Sequence, residues 1–193
     1  NVQTGDTYDS LAVALDEVQD GQTLELGVGT FEDGFEQTVT TDDVTLRGAG
    51  DEFTTIEDDL TVTGEDVRLR GIDVVGTVTL DGQGSTVNQL SVTANSPGDL
   101  VINADNVAVS NADIDGALDT SGTGTDDTVR VSDSTFTSQN TGDGTVEFSF
   151  AGSENVQVLT ESSNKDLSGV TFTSDDRYVL MPGDYTGNGA AIN

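Results

Sequence analysis

The stretch Val67-Arg68-Leu69-Arg70-Gly71-Ile72 decides the fold, because its pattern recurs along the chain. Each copy has a polar residue, then Val-x-apolar, then a turn residue and a further apolar residue. The copies begin at Val44, Val67, Val87, Val107, Val129 and Val156, which are 23, 20, 20, 22 and 27 residues apart. A period of this length predicts a solenoid, and the alternation of apolar and polar residues within each copy predicts β-strands.

A second set of short alternating segments lies between these copies. Its members are Leu60/Val62, Val78/Leu80, Leu100/Ile102 and Val146/Phe148/Phe150. Two or three strands per period, joined by turns rich in Gly and Asp, predict an all-β fold, a parallel β-helix of about seven coils. We expect a single domain over residues 1–193, with coils over 21–182, an extended segment over 1–6 and a tail over 183–193.

The segment 7–20 is the one predicted helix. Thr7 or Asp9 can cap its N-terminus, and Asp20-Gly21 ends it. Its apolar face consists of Tyr8, Leu11, Leu15 and Val18. Because a solenoid leaves both ends of its core open, we expect this face to cover the N-terminal end.

The charge of the chain is extreme. It has 193 residues, with 36 acidic and 6 basic side chains and a net charge of −30. This charge excludes ordinary nucleic-acid binding. The sequence contains no apolar run of roughly 18 residues, the length that a membrane-spanning helix needs. Multimolar salt relieves the self-repulsion of such a chain, so the composition predicts an extreme halophile. An acidic, calcium-rich extracellular protein is the alternative.

Cys and His are absent from the sequence. Their absence excludes disulfides, zinc–thiolate sites and catalysis by Ser-His-Asp or Cys-His. The chain begins at Asn1 and not at Met, which predicts a mature form after signal removal or a shortened chain. We expect an extracellular or cell-surface location, and no cofactor apart from Ca²⁺ or another hydrated cation.

Four segments resemble one family in their order and spacing. They are Thr7-Tyr8-Asp9-Ser10-Leu11, Asp20-Gly21-Gln22-Thr23-Leu24-Glu25-Leu26, Gly29-Thr30-Phe31 and Val44-Thr45-Leu46-Arg47-Gly48-Ala49-Gly50. Together they resemble the opening of pectin-lyase-like right-handed parallel β-helix proteins, and secreted haloarchaeal members in particular. In the family's usual Pro-Gly-Thr-Tyr turn, Val28 here replaces Pro and Phe31 replaces Tyr. The resemblance implies the fold and leaves the function open, because the family includes polysaccharide lyases, glycosidases, esterases, viral tail proteins and surface proteins.

The arginines are the candidate glycan-binding residues. In the repeat register Arg47 and Arg70 share one position, and Arg68 and Arg130 share another. Arg47, Arg68 and Arg70 could therefore form a cationic stripe that binds the carboxylates of an acidic glycan. Ion pairing of these arginines with neighbouring acids such as Asp43 is the alternative. No motif matches a lyase catalytic set, so we assign no catalytic residue.

A metal site is the second candidate. Asn111, Asp113 and Asp115 fit the first half of a calcium-binding EF-hand loop, and Asp119 follows nearby. Gly122 stands where such a loop needs a bidentate Glu. The alternative is a strand that ends in an Asp-Gly turn.

These features predict a non-enzymatic structural protein at the surface of an extreme halophile. Its partners would be further copies of itself, joined at the ends of the solenoid, or acidic surface glycans. We expect the assembly strands to be Asn1-Val2-Gln3-Thr4 and Tyr178-Val179-Leu180. The alternatives are a polysaccharide lyase or glycan-binding domain, and a halovirus tail or spike module.

The charge generates a first test. Folding should require about 1 M salt or more, because only then are the carboxylates screened from one another. Circular dichroism during dialysis from high to low NaCl measures this requirement. A fully folded spectrum at about 20 mM NaCl without divalent ions would contradict the halophile prediction, since the Debye length there exceeds 10 Å.

Overall fold

The structure is a computed structural model. It describes residues 1–93, 98–124, 127–141 and 145–149, together with the short segments 157–158, 165–166, 170–171, 179–180 and 185–186. Side chains are described as far as residue 136. Within these residues the chain is mostly parallel β-structure with one short helix, as the sequence predicts.

The strands are β1 (Thr23–Glu25), β2 (Gly29–Phe31), β3 (Gln37–Val39), β4 (Thr45–Arg47), β5 (Thr54–Ile56), β6 (Leu60–Val62), β7 (Arg68–Val75), β8 (Val78–Leu80), β9 (Thr86–Thr93), β10 (Leu100–Ile102), β11 (Val107–Thr120), β12 (Thr128–Ser132), β13 (Thr135–Thr141), β14 (Thr145–Ser149), β15 (Gln157–Val158), β16 (Lys165–Asp166), β17 (Val170–Thr171), β18 (Val179–Leu180) and β19 (Tyr185–Thr186).

Successive coils stack these strands into three parallel sheets. Sheet A contains β1, β4, the first parts of β7, β9 and β11, then β12, β14 and β17. Sheet B contains β2, β5, the second parts of β7 and β9, the middle of β11, then β13, β15 and β18. Sheet C contains β3, β6, β8, β10 and the ends of β11 and β13. The solenoid makes about five turns, fewer than the seven predicted, and most of the chain beyond residue 149 lies outside the described residues.

Each sheet sends rows of apolar side chains into the core. In sheet A one row is Leu24, Leu46, Leu69, Val87, Val109 and Val131, all of them buried, and a second row runs through Val44, Val67, Ser85, Val107 and Val129. In sheet B a buried row is Ile56, Val74, Val92, Ile114 and Phe136. Because strand side chains alternate between faces, each row is flanked by outward-facing residues that meet solvent. The alternation in the repeat is therefore the alternation between core and surface.

The corner between sheets A and B turns at one backbone position in four successive coils. Gly71, Gln89, Asn111 and Asp133 stack there, each with a φ between 49° and 66°. This left-handed conformation is open to Gly and is tolerated by Asn and Asp better than by most residues. The turn residue of the repeat thus has a backbone role, which applies to Asn111 as well.

Helix α1 comprises Leu11–Glu17 and is shorter than the predicted segment 7–20. It begins after Ser10, whose backbone is extended and whose Oγ accepts a hydrogen bond from the Val13 N–H at 3.3 Å. Ser10 and not Thr7 or Asp9 is therefore the cap. The helix ends at Glu17, and its C-cap residue Val18 is extended. Within the described residues, no helix is long and apolar enough to cross a membrane.

The predicted apolar face of α1 is confirmed and covers the N-terminal end of the core. Leu11, Leu15 and Val18 are buried, and Tyr8, just before the helix, is partly buried against the core. The helix packs against β3. It therefore covers the edge of sheet C.

Two copies of the repeat, at Val87 and Val156, and one member of the second strand set were placed wrongly by sequence alone. Val87 was expected in the row of Val67, but the strand register puts Ser85 there, and Val87 instead follows Leu69. The strand at Thr145–Ser149 belongs to sheet A and not to the second strand set. Val158, the end of the copy assigned to Val156, pairs with Phe136 in sheet B, while Val156 lies outside the described residues.

Ser85 generates a test of the packing. It lies between Val67 and Val107 in an otherwise apolar row, is 1% exposed, and its Oγ has no hydrogen-bond partner within the described part of the chain. Ser85→Val removes an unpaired buried hydroxyl and restores the row, so we expect it to raise the free energy of unfolding by about 1–2 kcal/mol. Thermal unfolding in about 3 M NaCl, where charges are screened, measures the change.

The matched control is Val107→Ser, which places a hydroxyl in the same row one coil further on. It should lower the unfolding temperature. An unchanged or lower stability of Ser85→Val would show that the row does not accept a valine and would contradict this account of the core.

Candidate functional site

The cations of the chain are collected on one face. Face A, the outward surface of sheet A, carries Arg47, Arg68, Arg70 and Arg130, which are all the basic side chains among residues whose side chains are described. Its other outward residues are Thr23, Glu25, Thr45, Thr86, Asn88, Ala108, Ser110, Thr128 and Ser132. Among the outward residues with described side chains, four arginines therefore stand against one glutamate, in a chain whose net charge is −30. Glu147 of β14 follows Arg130 in the strand register.

One row of face A runs through Glu25, Arg47, Arg70, Asn88 and Ser110. Glu25 forms an ion pair with Arg47. Asn88 Nδ2 donates to Ser110 Oγ at 2.8 Å. Arg70, which lies between these two pairs, is exposed and has no ion pair or side-chain hydrogen bond to any described residue. Its guanidinium donors are available to a ligand.

The other row of face A contains Arg68 and Arg130 in the same register position, as predicted. Arg68 pairs with Asp43, with 2.6 Å between Nη1 and Oδ1 and with both side chains about half exposed. Arg130 Nη1 donates to Asn106 Oδ1 at 3.1 Å. Ion pairing thus explains Arg68, as the alternative reading of the sequence proposed. An exposed pair of this kind contributes about 1 kcal/mol or less to stability.

Faces B and C, the outward surfaces of the other two sheets, have a different character. Their outward strand residues with described side chains include acids and no cation. The acids of face B accept hydrogen bonds from threonines: Thr93 Oγ1 donates to Asp73 at 3.2 Å, and Thr135 Oγ1 donates to Asp113 at 2.5 Å. Face A is therefore the one described face whose charge attracts an anion.

The candidate metal ligands lie along β11. Asn111 is the corner residue between sheets A and B, Asp113 lies on face B, and Asp119 pairs with Val101 in sheet C. The segment is extended strand, so it does not form the loop of an EF-hand. In the described part of the chain, no group of three or more acids is placed to hold a metal ion. Asp115 comes directly after Ile114, which pairs with Phe136 of β13, and Asp115 is exposed.

The N-terminal segment differs from the free, extended strand that was predicted. Residues 2–4 form a turn that docks on β1. The Val2 N–H donates to the Thr23 carbonyl at 2.9 Å, and the Thr23 N–H donates to Gln3 Oε1 at 2.8 Å. Asn1 Nδ2 donates to Gln22 Oε1 at 2.6 Å. The prediction of an extended segment is wrong here, because one backbone N–H, that of Val2, and the side-chain amide of Gln3 satisfy Thr23 at the edge of β1.

The C-terminal assembly residues are partly described. Val179 and Leu180 form β18, which pairs in parallel with Gln157 and Val158 of β15. Tyr178 lies outside the described residues. β17 and β18 are the last described strands of sheets A and B.

A cleft of about 360 Å³ lies beside the docked N-terminal segment. One wall consists of parts of the segment 1–8 and of α1, and the other consists of β1, the two residues after it and Phe31 at the end of β2. Tyr8, Phe31 and Leu26 supply apolar surface, and Asp6 and Glu25 supply charge. The sequence analysis missed this cleft, because nothing in the apolar pattern shows where residues 1–6 fold back.

Comparison with protein-family models, with curated proteins and with solved structures finds no match. Two features of the molecule itself therefore indicate what the chain can do. One is the cationic face A, and the other is the edge of β1 with its docked N-terminal segment.

Proposed function

We propose that the chain is a non-enzymatic structural module at the outside of an extreme halophile, and that face A binds an acidic polymer such as a surface glycan. One observation carries the proposal. The four arginines with described side chains all lie on face A, although acids outnumber basic residues 36 to 6 in the chain.

The arrangement on face A suits a repeating anion. Adjacent strands of a sheet lie about 4.8 Å apart, so the side chains of Arg47 and Arg70, in neighbouring coils, leave the backbone at that spacing along the solenoid axis. A polymer that carries a carboxylate on each unit can meet both arginines, with its carboxylate replacing Glu25 at Arg47. Arg70 is the strongest candidate contact, because it gives up no described partner when it binds.

High salt restricts how this binding can occur. In about 1 M salt the Debye length is roughly 3 Å, so long-range attraction contributes little. Binding must then depend on short-range, bidentate hydrogen bonds, which Arg makes to carboxylates and Lys does not. All four basic residues on face A are arginines, which fits this requirement.

Binding is favoured over catalysis by the openness of the face. The described links from sheet A to sheet B are six residues or fewer: residues 26–28 follow β1, residues 48–53 follow β4, and within β7, β9 and β11 a single corner residue separates the two sheets. Face A is therefore not walled by long loops, and enzyme sites are ordinarily concave. We also propose that the chain is related to the pectin-lyase-like proteins that its sequence resembles, and this relationship is compatible with the binding role.

End-to-end assembly is the second candidate function. Sheets A and B keep their parallel pairing from β1 and β2 to β17 and β18. The strand edges at the C-terminal end thus have the direction and spacing of those at the N-terminal end. Contact between unlike ends of identical subunits does not close, so it produces filaments.

The role of Arg70 generates a binding test. We expect Arg70→Ala to weaken binding to polygalacturonate about tenfold, because it removes a charge-assisted, bidentate contact. Arg70→Lys should be intermediate, since it keeps the charge and loses the fork of donors. Isothermal titration calorimetry in about 1 M NaCl, with dextran as the uncharged polymer, measures the affinities.

Arg68→Ala is the matched control, because it removes the same charge from the same strand but from a residue already paired with Asp43. It should change the affinity by less than about twofold, as expected for an occupied, exposed pair. Equal losses in the two variants, or no binding by the unmodified protein, would contradict the proposed role of face A. Release of unsaturated sugar ends during the titration would instead identify a lyase.

A further inference from the structure

We propose that residues 1–5 form a strap that covers the edge of β1 and holds off the C-terminal strand of a second copy of this chain. The inference rests on the proposed end-to-end assembly. It reverses the role that the sequence suggested for this segment: Asn1, Val2, Gln3 and Thr4 protect an edge and do not supply one.

The hydrogen bonds of β1 show which of its groups the strap covers. The bonds from the Thr45 N–H to the Gln22 carbonyl and from the Leu26 N–H to the Arg47 carbonyl connect this segment to the next coil. Because neighbouring residues of a strand point their backbone groups to opposite sides, Thr23 and Glu25 face the open end. The strap satisfies both backbone groups of Thr23.

Gln3 takes the place of a peptide group in this contact. Its side-chain amide accepts from the Thr23 N–H at 2.8 Å and also donates towards the Gly21 carbonyl and Thr23 Oγ1, each at 3.5 Å. A primary amide has the same donor and acceptor as the backbone of an added strand. The edge of β1 is therefore covered by two residues, Val2 and Gln3, which form the hydrogen bonds that a paired strand would form.

This cover is incomplete and exposed. Glu25 forms no outward backbone hydrogen bond to any described residue. Val2 is 52% exposed, and Gln3 and Thr4 are exposed as well. An incoming strand could pair with both Thr23 and Glu25, whereas the strap pairs with Thr23 alone. The cleft of about 360 Å³ between the strap and β1–β2 lies along the same edge.

A second copy is the occupant that the geometry favours. Its β17 and β18 are the last described strands of sheets A and B, and they have the parallel direction that β1 and β2 require. Helix α1 covers β3, so the contact is confined to the edges of β1 and β2. Copies of this acidic chain repel each other in dilute salt, so exchange should occur only at high ionic strength.

The experiment compares the full chain with a variant lacking residues 1–5, with Gln3→Ala and with Thr4→Ala. Thr4 is the matched control, since its Oγ1 accepts from the Asp6 N–H and forms no hydrogen bond to β1. Sedimentation velocity and electron microscopy in about 3 M NaCl measure assembly, and circular dichroism checks that each variant is folded.

If the strap protects the edge of β1, the full chain and Thr4→Ala should both assemble weakly and to the same extent. Gln3→Ala should strengthen self-association about tenfold, because it exposes the Thr23 N–H. The deletion should yield rows of particles joined end to end. If the deletion unfolds the cap, Gln3→Ala alone decides the question.

Two outcomes overturn the inference, and they are distinguishable. If the full chain forms rows as readily as Gln3→Ala and the deletion, assembly is real but the strap does not control it. If the folded variants all stay monomeric, or associate only side by side, end-to-end assembly itself fails. Binding of polygalacturonate to face A is independent of both outcomes, because residues 1–5 lie outside face A.

Discussion

Parallel stacking of successive coils in one register is the constraint on which the rest of the structure depends. It aligns each inward residue with its counterpart in the next coil, so that Leu24, Leu46 and Leu69 form a continuous apolar row. The same register aligns the surface, which is why Arg47 and Arg70 are neighbours although they are far apart in the sequence. It also leaves unpaired backbone groups at each end, which the chain must cover or use.

The repeat was enough to predict the fold class, because the Val and Leu residues of the core recur once in each coil. It misplaced Ser85 and Val87 because that coil is short: Leu69 to Val87 spans 18 residues, where neighbouring coils span 22 or 23. Alternation also looks the same in every sheet, so Val146 could not be assigned to sheet A by pattern alone. The extent of α1 depended on the backbone of Ser10, which composition does not determine.

The candidate site was predictable to the same degree. The shared positions of Arg47 with Arg70, and of Arg68 with Arg130, followed from the repeat. The repeat does not show which arginine is free, because the pairing of Arg68 with Asp43 depends on a corner residue of the preceding coil. The docked segment at Gln3 was hidden for a different reason. Its contact joins a side-chain amide to a backbone edge, and such contacts leave no periodic trace in a sequence.

The central claim is that face A is the binding surface of an otherwise acidic solenoid. Amide chemical-shift mapping tests it most directly, with ¹⁵N-labelled protein titrated with oligogalacturonate in about 1 M NaCl. The account predicts that shift changes concentrate on β4, β7 and β9 around Arg47, Arg70 and Asn88, while Thr61 and Thr79 on face C do not respond. Changes centred on face B or face C, or none at saturating oligomer, would contradict it.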